Sequence, residues 1–556
     1  MRGRPLISIP EERPLLVALV LCGAVSLAYA LTVPETPDLA AQLFRADLWG
    51  DHGFVLWSEA WYSGFTTPGY SLIYPPLGAL IGPVALGIIC ALASTAIFGA
   101  LAIRAFGDRA WIGVIWFGLA STVALWGSRT TFALGLTLAL AALLALQRSR
   151  PWLAVPLALV SGLASPVSGL FCALAGAAVV LAARVPLSRD SVSRGAARLP
   201  AGVAVAVTVA AAVGTLAMGF AFPVDGYEPF RFAMWIWIPI TCLVVLVVVP
   251  AEQAVIRWGA LLYLLLALPL LVVETPLGDN AVRLGYTFAG PVLALALTPW
   301  RPVLLAVLAV PLLYWQWNAT YHDIRDGLGN ETAERAYFAP VLDAAETDAE
   351  TDGAGPGRVH VPPTRTRWEA RFVPERFPLA RGWLRQLESD DFELFRDGEL
   401  DPESYERWLR EHGVSYVALP LGVELDYMGG DEAALLQGAD GPLPFLAEIY
   451  SSPHWRLWRV RGTGGSPLVT GGARIESAGP DGYTVSVPGP GTYLLRYRYS
   501  PYLGVSADGR ACISAAPGME GTTTELVVAG PAPRLIEVEA GFSFAGLFRR
   551  SESCSQ

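Results

Sequence analysis

Eleven runs of apolar residues, each near the length that crosses a bilayer or slightly short of it, fill residues 14–317 and constrain this chain more than any other feature. The first is Pro14–Val33, and the others lie at about 73–103, 110–127, 131–147, 151–165, 167–183, 199–221, 232–250, 256–273, 284–298 and 302–317. In hydrocarbon a backbone must satisfy its own N–H and C=O groups, so runs of this length read as helical spans. Hydrophobic residues make up 53% of the 556 and charged residues only 16%, whereas a soluble globule carries about a quarter charged. The expectation is a polytopic α-helical membrane protein of about eleven spans. Its first partner is the lipid bilayer, and no nucleic-acid partner is expected.

Arginine placement gives the spans a direction. The chain has no lysine, so every fixed cation is an arginine. Arg104 and Arg109, Arg148 and Arg150, the group Arg184, Arg189, Arg194 and Arg198, then Arg257 and Arg301 fall on alternate connections, on the side of an N-terminus that carries Arg2, Arg4 and Arg13. Short cytoplasmic loops hold the excess of positive charge, so that side reads as cytoplasmic. The first run lacks a small-x-small cleavage site and reads as a retained anchor. With an odd number of spans, the connection 34–72 and everything from about Asn318 onward are expected outside.

Past residue 317 the composition changes, and residues 318–556 hold about 35 of the 49 acids. Short apolar strands at Arg358–Pro362, Val414–Leu419 and Trp455–Val460, with a helix around Glu403–His412, predict an α/β domain over 318–462. Period-two alternation in Gly482–Pro488, Tyr493–Tyr499 and Leu535–Glu539 predicts a β-sandwich over 463–556. Residues 1–317 form the expected membrane domain. Asp348–Gly357, rich in acids and glycine, reads as a flexible insertion. Cys22, Cys90, Cys172 and Cys242 sit singly in apolar runs and read as core, which leaves Cys512 and Cys554 as the two that could pair in an oxidising compartment.

The connection 34–72 is the first place to look for chemistry, because most connections run two to six residues and long ordered ones are usually functional. Glu35 and Asp38 follow the first span directly, with Asp47 and Asp51 next. A carboxylate at the membrane surface is a candidate general base, and the sequence does not rank the four. Trp57, Trp61, Tyr62 and Tyr70 could hold a sugar acceptor or form an interfacial belt. Arg129 and Arg283 lie at outer ends of spans, where positive charge is disfavoured, and their paired donors suit a phosphate or pyrophosphate at headgroup level. Asn280 and His52 are further polar candidates there, although one histidine beside one aspartate is no metal pattern. The plainer alternative for each arginine is an ion pair with Asp38, Asp47, Asp279 or Glu274, or a lipid headgroup contact. Arg45 and Arg231 read as simple ion pairs. In the α/β region Trp368, Glu369, Arg381 and Trp383 combine stacking faces with charges that suit an acceptor, or a core.

This layout resembles the GT-C superfamily of membrane glycosyltransferases. Pro37-Asp38 occupies the place of that superfamily's catalytic carboxylate just after the first span, Tyr74-Pro75-Pro76 matches a Tyr-Pro-Pro that opens the second span, and an external domain follows the last span. The chain also resembles a group of large integral membrane proteins of high-GC bacteria through Gly64–Pro76, Ser128–Leu136, Ala164–Gly169, Gly278–Leu284, Trp368–Ala370, Pro378–Trp383 and Val414–Pro420, which implies a bacterial cell membrane but no activity. The Asp-Glu pair or second-loop acidic motif of better-known GT-C branches is not clearly present. No cofactor is therefore certain, and a divalent cation remains an open alternative. The GT-C resemblance implies transfer of a sugar from a polyprenyl-phosphate donor to an extracytoplasmic cell-envelope glycan or lipid acceptor. The rival expectation is a non-catalytic envelope scaffold or a transporter. Scarce mid-span charge and the lack of a visible inverted repeat weigh against transport.

Overall fold

The computed structural model describes residues 12–185, 201–223, 226–298, 300–352, 357–388, 393–395, 398, 400–438, 441–462, 467–505, 510–519, 521–530, 535–543 and 554. Arg2, Arg4, Arg189, Arg194 and Arg198 of the orientation pattern lie outside the described residues.

The helices among the described residues up to Gly327 are α1 (Glu12–Thr32), α2 (Pro37–His52), α3 (Tyr74–Ile81), α4 (Pro83–Phe106), α5 (Trp111–Trp126), α6 (Thr130–Gln147), α7 (Pro151–Ala164), α8 (Pro166–Arg184), α9 (Ala201–Ala221), α10 (Phe232–Trp235), α11 (Trp237–Val248), α12 (Ala254–Ala267), α13 (Val282–Leu297) and α14 (Pro302–Gly327). Each of the eleven apolar runs holds a helix. Seven segments among the described residues are long and apolar enough to cross a membrane, which makes this a multi-pass membrane protein. One of them, Pro83–Trp126, has 44 residues. Straight, it would measure about 66 Å, twice the hydrocarbon thickness. It turns instead at Gly107–Ala110, and α5 packs back on α4. Eleven crossings are not established by helix length, because α7, α11 and α13 have only 14, 12 and 16 residues.

Two expectations are corrected here. The run 73–103 is not one helix, since Gly82, at φ +88°, and Pro83 separate α3 from α4. The last helix does not stop at 317. Its buried stripe of Leu312, Trp315, Gln316, Thr320 and Gly327 keeps helical spacing through residues polar enough to look like a soluble domain.

The chain divides into two compact units. One comprises Met1–Ala46, Gly69–Phe220 and Tyr227–Leu328, and the other Asp47–Pro68, Ala221–Gly226 and Gly329–Gln556. Within the helical unit, hydroxyls tie helices through backbone carbonyls, with Ser161 Oγ donating to Gly135 O at 2.9 Å and Ser168 Oγ to Phe132 O at 3.0 Å. Such bonds matter between helices that gain little from hydrophobic burial in lipid.

The second unit holds the strands. Inside the long connection, β1 (Trp57–Ser58) and β2 (Phe65–Thr66) form a small antiparallel pair. A four-stranded mixed sheet follows, built from β3 (Arg358–His360), β4 (Val414–Pro420), β5 (Leu446–Ser451) and β6 (Trp455–Val460) in the order β3-β4-β6-β5, with only the β3–β4 pair parallel. Helices α15 (Arg335–Asp352), α16 (Glu369–Phe372), α17 (Pro402–Glu411) and α18 (Gly430–Leu436) accompany it. The supposed insertion at Asp348 is partly helix: α15 runs to Asp352, and Asp348 accepts the Tyr416 hydroxyl at 3.1 Å. Residues 353–356 of that insertion lie outside the described residues.

Strands β7 (Arg474–Gly479), β8 (Gly482–Ser486), β9 (Gly491–Leu495), β10 (Leu503–Val505), β11 (Ala511–Ala515), β12 (Thr524–Val528) and β13 (Leu535–Ala540) make two antiparallel sheets, β10-β13-β8-β7 and β11-β12-β9. They enclose one core of Ile475, Val485, Leu495, Leu526, Ile536 and Val538. The run 493–499 leaves its ladder at Leu495, because Arg498 N–H turns to Ser63 O at 2.7 Å. Cys512 and Cys554 form a disulfide, and Cys22, Cys90, Cys172 and Cys242 are free and buried.

Candidate functional site

In the helical unit, the α1–α2 connector, the start of α6 and the end of α14 meet at Arg129. Two glycines permit this. A side chain on Gly127 would lie 2.8 Å from Arg129 Nη1, so its absence leaves room for the guanidinium to fold back over the turn. A side chain on Gly327 would lie 2.8–2.9 Å from the backbone of Glu35 and Thr36, where Glu35 N–H donates to Gly327 O at 2.9 Å. Pro37 then opens α2 and puts Asp38 in its first turn, where the helix N-terminus favours negative charge.

Arg129 Nε lies 3.3 Å from Asp38 Oδ2, and Nη2 lies 2.7 Å from Asp323 Oδ2. Nη1 donates to Thr320 Oγ1 at 3.1 Å. Burial works against the charge of Arg129, but Asp323, with Tyr286, Asp38 and Asp279 in support, more than offsets it and the net shift is upward. Arg283 comes near the start of α6: its guanidinium carbon is 5.4 Å from the ring centroid of Phe132, in the first turn of that helix. Asn280 shares a short 3₁₀ turn with Asp279 just before α13. Around Asp38, Thr131 Oγ1 donates to Gln42 Oε1 at 2.8 Å, and the Arg45 guanidinium stacks 4.2 Å from the centroid of Tyr70.

The other candidates lie elsewhere. Asp47, Asp51 and His52 are exposed and further along α2; Asp47 is nine residues past Asp38, about 13 Å along the axis. Asp47 pairs with Arg371 at 3.0 Å. Trp57 is enclosed in the β-sandwich core, the Trp61 indole N–H donates to Ala370 O at 2.8 Å, and the Tyr62 hydroxyl donates to Glu388 at 3.2 Å. Trp368, Glu369 and Arg381 are buried and Trp383 half-buried. Glu369 accepts Thr364 Oγ1 at 2.5 Å, and burial pushes its carboxyl up to about 7. Arg381 faces Glu388 at 3.3 Å.

Asp323 and Thr320 were missed because the apolar run ends at 317, yet both continue the stripe that points Leu312 and Gln316 inward. Tyr286 had a weak signal, standing one helical turn after Arg283. Asp38 and Asp323 each pair with Arg129, and no group of three or more metal-ligating side chains occurs among the described residues.

No family model matches the chain, and no curated protein matches it significantly. Its backbone is similar to cryo-EM structures of the arabinofuranosyltransferase AftD from Mycobacteria. A point-mutant form aligns with TM-score 0.47 and 15% identity over 88% of this chain and 43% of that one, and a second structure with TM-score 0.43 and 14% identity over 88% and 42%. The chain thus spans less than half the length of the proteins it aligns with.

Proposed function

We propose that this chain is a GT-C-like membrane glycosyltransferase that moves a sugar from a polyprenyl-phosphate donor to an extracytoplasmic cell-envelope acceptor. The observation that carries the proposal is the juxtaposition of Asp38 and Arg129, a candidate base and a candidate phosphate clamp, at 3.3 Å on adjoining helix starts. In this reading the donor phosphate takes paired donors from Arg129 and Arg283, and its charge exchanges for Asp38 on Arg129. The Asp38 carboxylate then accepts the proton of the acceptor hydroxyl as that oxygen attacks the anomeric carbon. The bond from that carbon to the phosphate oxygen breaks, and the electron pair leaves with the lipid phosphate between the two guanidiniums. Direct displacement inverts the carbon.

The Cys512–Cys554 disulfide supports an oxidising location for the strand-bearing unit, and so the external orientation read from the arginines. The test is transfer from a panel of polyprenyl-phosphate sugars by purified protein in lipid, comparing wild type with Asp38→Asn. Unchanged transfer in the variant removes Asp38 from the chemistry. No turnover by the wild type across the panel favours an envelope scaffold.

A further inference from the structure

Independently of any catalytic role, we infer that the end of the β-sandwich bearing Tyr502 and Phe542 is a membrane-contact surface, and that its partner is the headgroup layer of the bilayer. The argument begins at Ala221, the last residue of a 21-residue helix apolar enough to cross a membrane. The final carbonyls of a helix have no partner within it, which is costly where water is scarce. The Ala221 carbonyl accepts the Tyr502 hydroxyl at 2.5 Å. Phe222, the next residue, is buried with its ring 6.2 Å from Tyr502 and 6.4 Å from Phe542, and Tyr502 stacks on Phe542 at 5.7 Å. Ala221 ends that helix and Phe222 follows it directly in the chain, so the cluster is tethered to the end of a span.

Even so, Phe542 remains 50% exposed. A second exposed ring belongs to the same end of the sandwich. Asp481, in the β7–β8 turn, accepts Ala540 N–H on its carbonyl at 2.7 Å, and on its carboxylate the N–H groups of Leu56 and Trp57 at 2.6 and 2.9 Å. This pins the segment carrying Phe54, which is 47% exposed and meets Trp49 edge-on at 5.9 Å. Large apolar rings left exposed, with tyrosine and tryptophan among them, have the composition of an interfacial belt. A saccharide stacked on Phe542 is the competing occupant. The covalent tether to a span end favours lipid.

The test labels Phe542→Cys with a fluorescent bimane in nanodiscs. Selective labelling is feasible because Cys22, Cys90, Cys172 and Cys242 are buried and Cys512 is paired with Cys554. Pro490→Cys, exposed in the turn beyond the opposite end of β8, is the control. The expected result is quenching at 542 several-fold stronger from lipids spin-labelled near the headgroup than from lipids labelled at the chain end, with shielding from aqueous iodide, and the reverse at 490. Quenching by iodide as free at 542 as at 490 overturns the inference. So does shielding from iodide without lipid quenching, which indicates a saccharide or protein cover. Ser543→Cys repeats the measurement if the first variant fails to fold.

Discussion

The protein contains two clusters of arginines and carboxylates, one in each unit, and they differ in what surrounds them. In the strand-bearing unit Arg367 grips both oxygens of Glu388 at 2.9 Å, Asp426 lies 3.5 Å from Arg367, and Arg381 reaches Glu388 and Glu432. These side chains are 0–4% exposed. With Arg385 on Asp426, three guanidiniums meet three carboxylates. Burial alone would push the Glu388 carboxyl up; Arg367 and Arg381 reverse this and hold it below the usual range. In the helical unit Arg129, Asp38 and Asp323 are 13%, 15% and 26% exposed, and the arginine lies 3.3 Å from Asp38 and 2.7 Å from Asp323. A cluster whose central Arg367, Arg381, Glu388 and Glu432 are buried and paired with one another gives a ligand little access. A cluster partly open to solvent can exchange a partner for an incoming anion.

The largest expected effect separates the clusters by stability. Arg367→Ala takes from buried Glu388 its bidentate partner and leaves three carboxylates facing two guanidiniums, and should cost about 3–5 kcal/mol, enough to deplete folded protein. Arg129→Ala leaves partly solvated carboxylates and should cost clearly less. Thermal unfolding of both variants in nanodiscs checks this, and equal losses would erase the distinction. Next is Asp38→Asn, which should lower sugar transfer by about a hundredfold or more while leaving the unfolding temperature close to wild type. A fall in activity matched by a fall in folded fraction would mean that Asp38 is structural too.

The sequence made one side of this comparison easier to see than the other. Charged residues at the ends of apolar runs stand out against lipid-facing composition, so Asp38, Arg129 and Arg283 were legible, and so were the strand runs at β4, β6, β8 and β13. What brings Asp323 to Arg129 is the polar continuation of α14, which composition alone assigns to a soluble domain. The aromatic group at 57–62 was legible as a cluster but not as an insertion. Its partners, Asp481, Ala370 and Glu388, lie more than three hundred residues away, and no local pattern encodes them. The same holds for Glu369 and Arg381, whose charges suggested a binding surface until the sheet enclosed them.

A pH dependence follows from the sealed unit. Glu369 carries its carboxyl near 7, against about 4.5 for the exposed group, chiefly through burial. The folded state therefore holds a proton that the unfolded chain has released. Stability is full below about pH 4.5 and declines as pH rises toward and through 7, by about 2 kcal/mol between pH 5.5 and 8 for this group. Glu59, also pushed to about 7 by burial, adds in the same direction. Glu369→Gln should flatten the decline, as read from denaturation midpoints across that range; an unchanged slope would show that the carboxyl titrates elsewhere.

The smallest expected effect is a control on the comparison itself. Arg407 and Glu403 pair at 3.4 Å on one face of α17 with side chains 61% and 89% exposed. Water already solvates both charges, so Arg407→Ala should change stability by less than about 0.5 kcal/mol. Set beside Arg367 and Arg129, it completes a series in which one residue type has its partner removed at three degrees of enclosure. If the loss follows enclosure across all three, burial decides what an ion pair does in this protein. A loss at Arg407 as large as at Arg129 would instead place Arg129 among ordinary surface pairs, and the case for an exchangeable clamp beside Asp38 would fail with it.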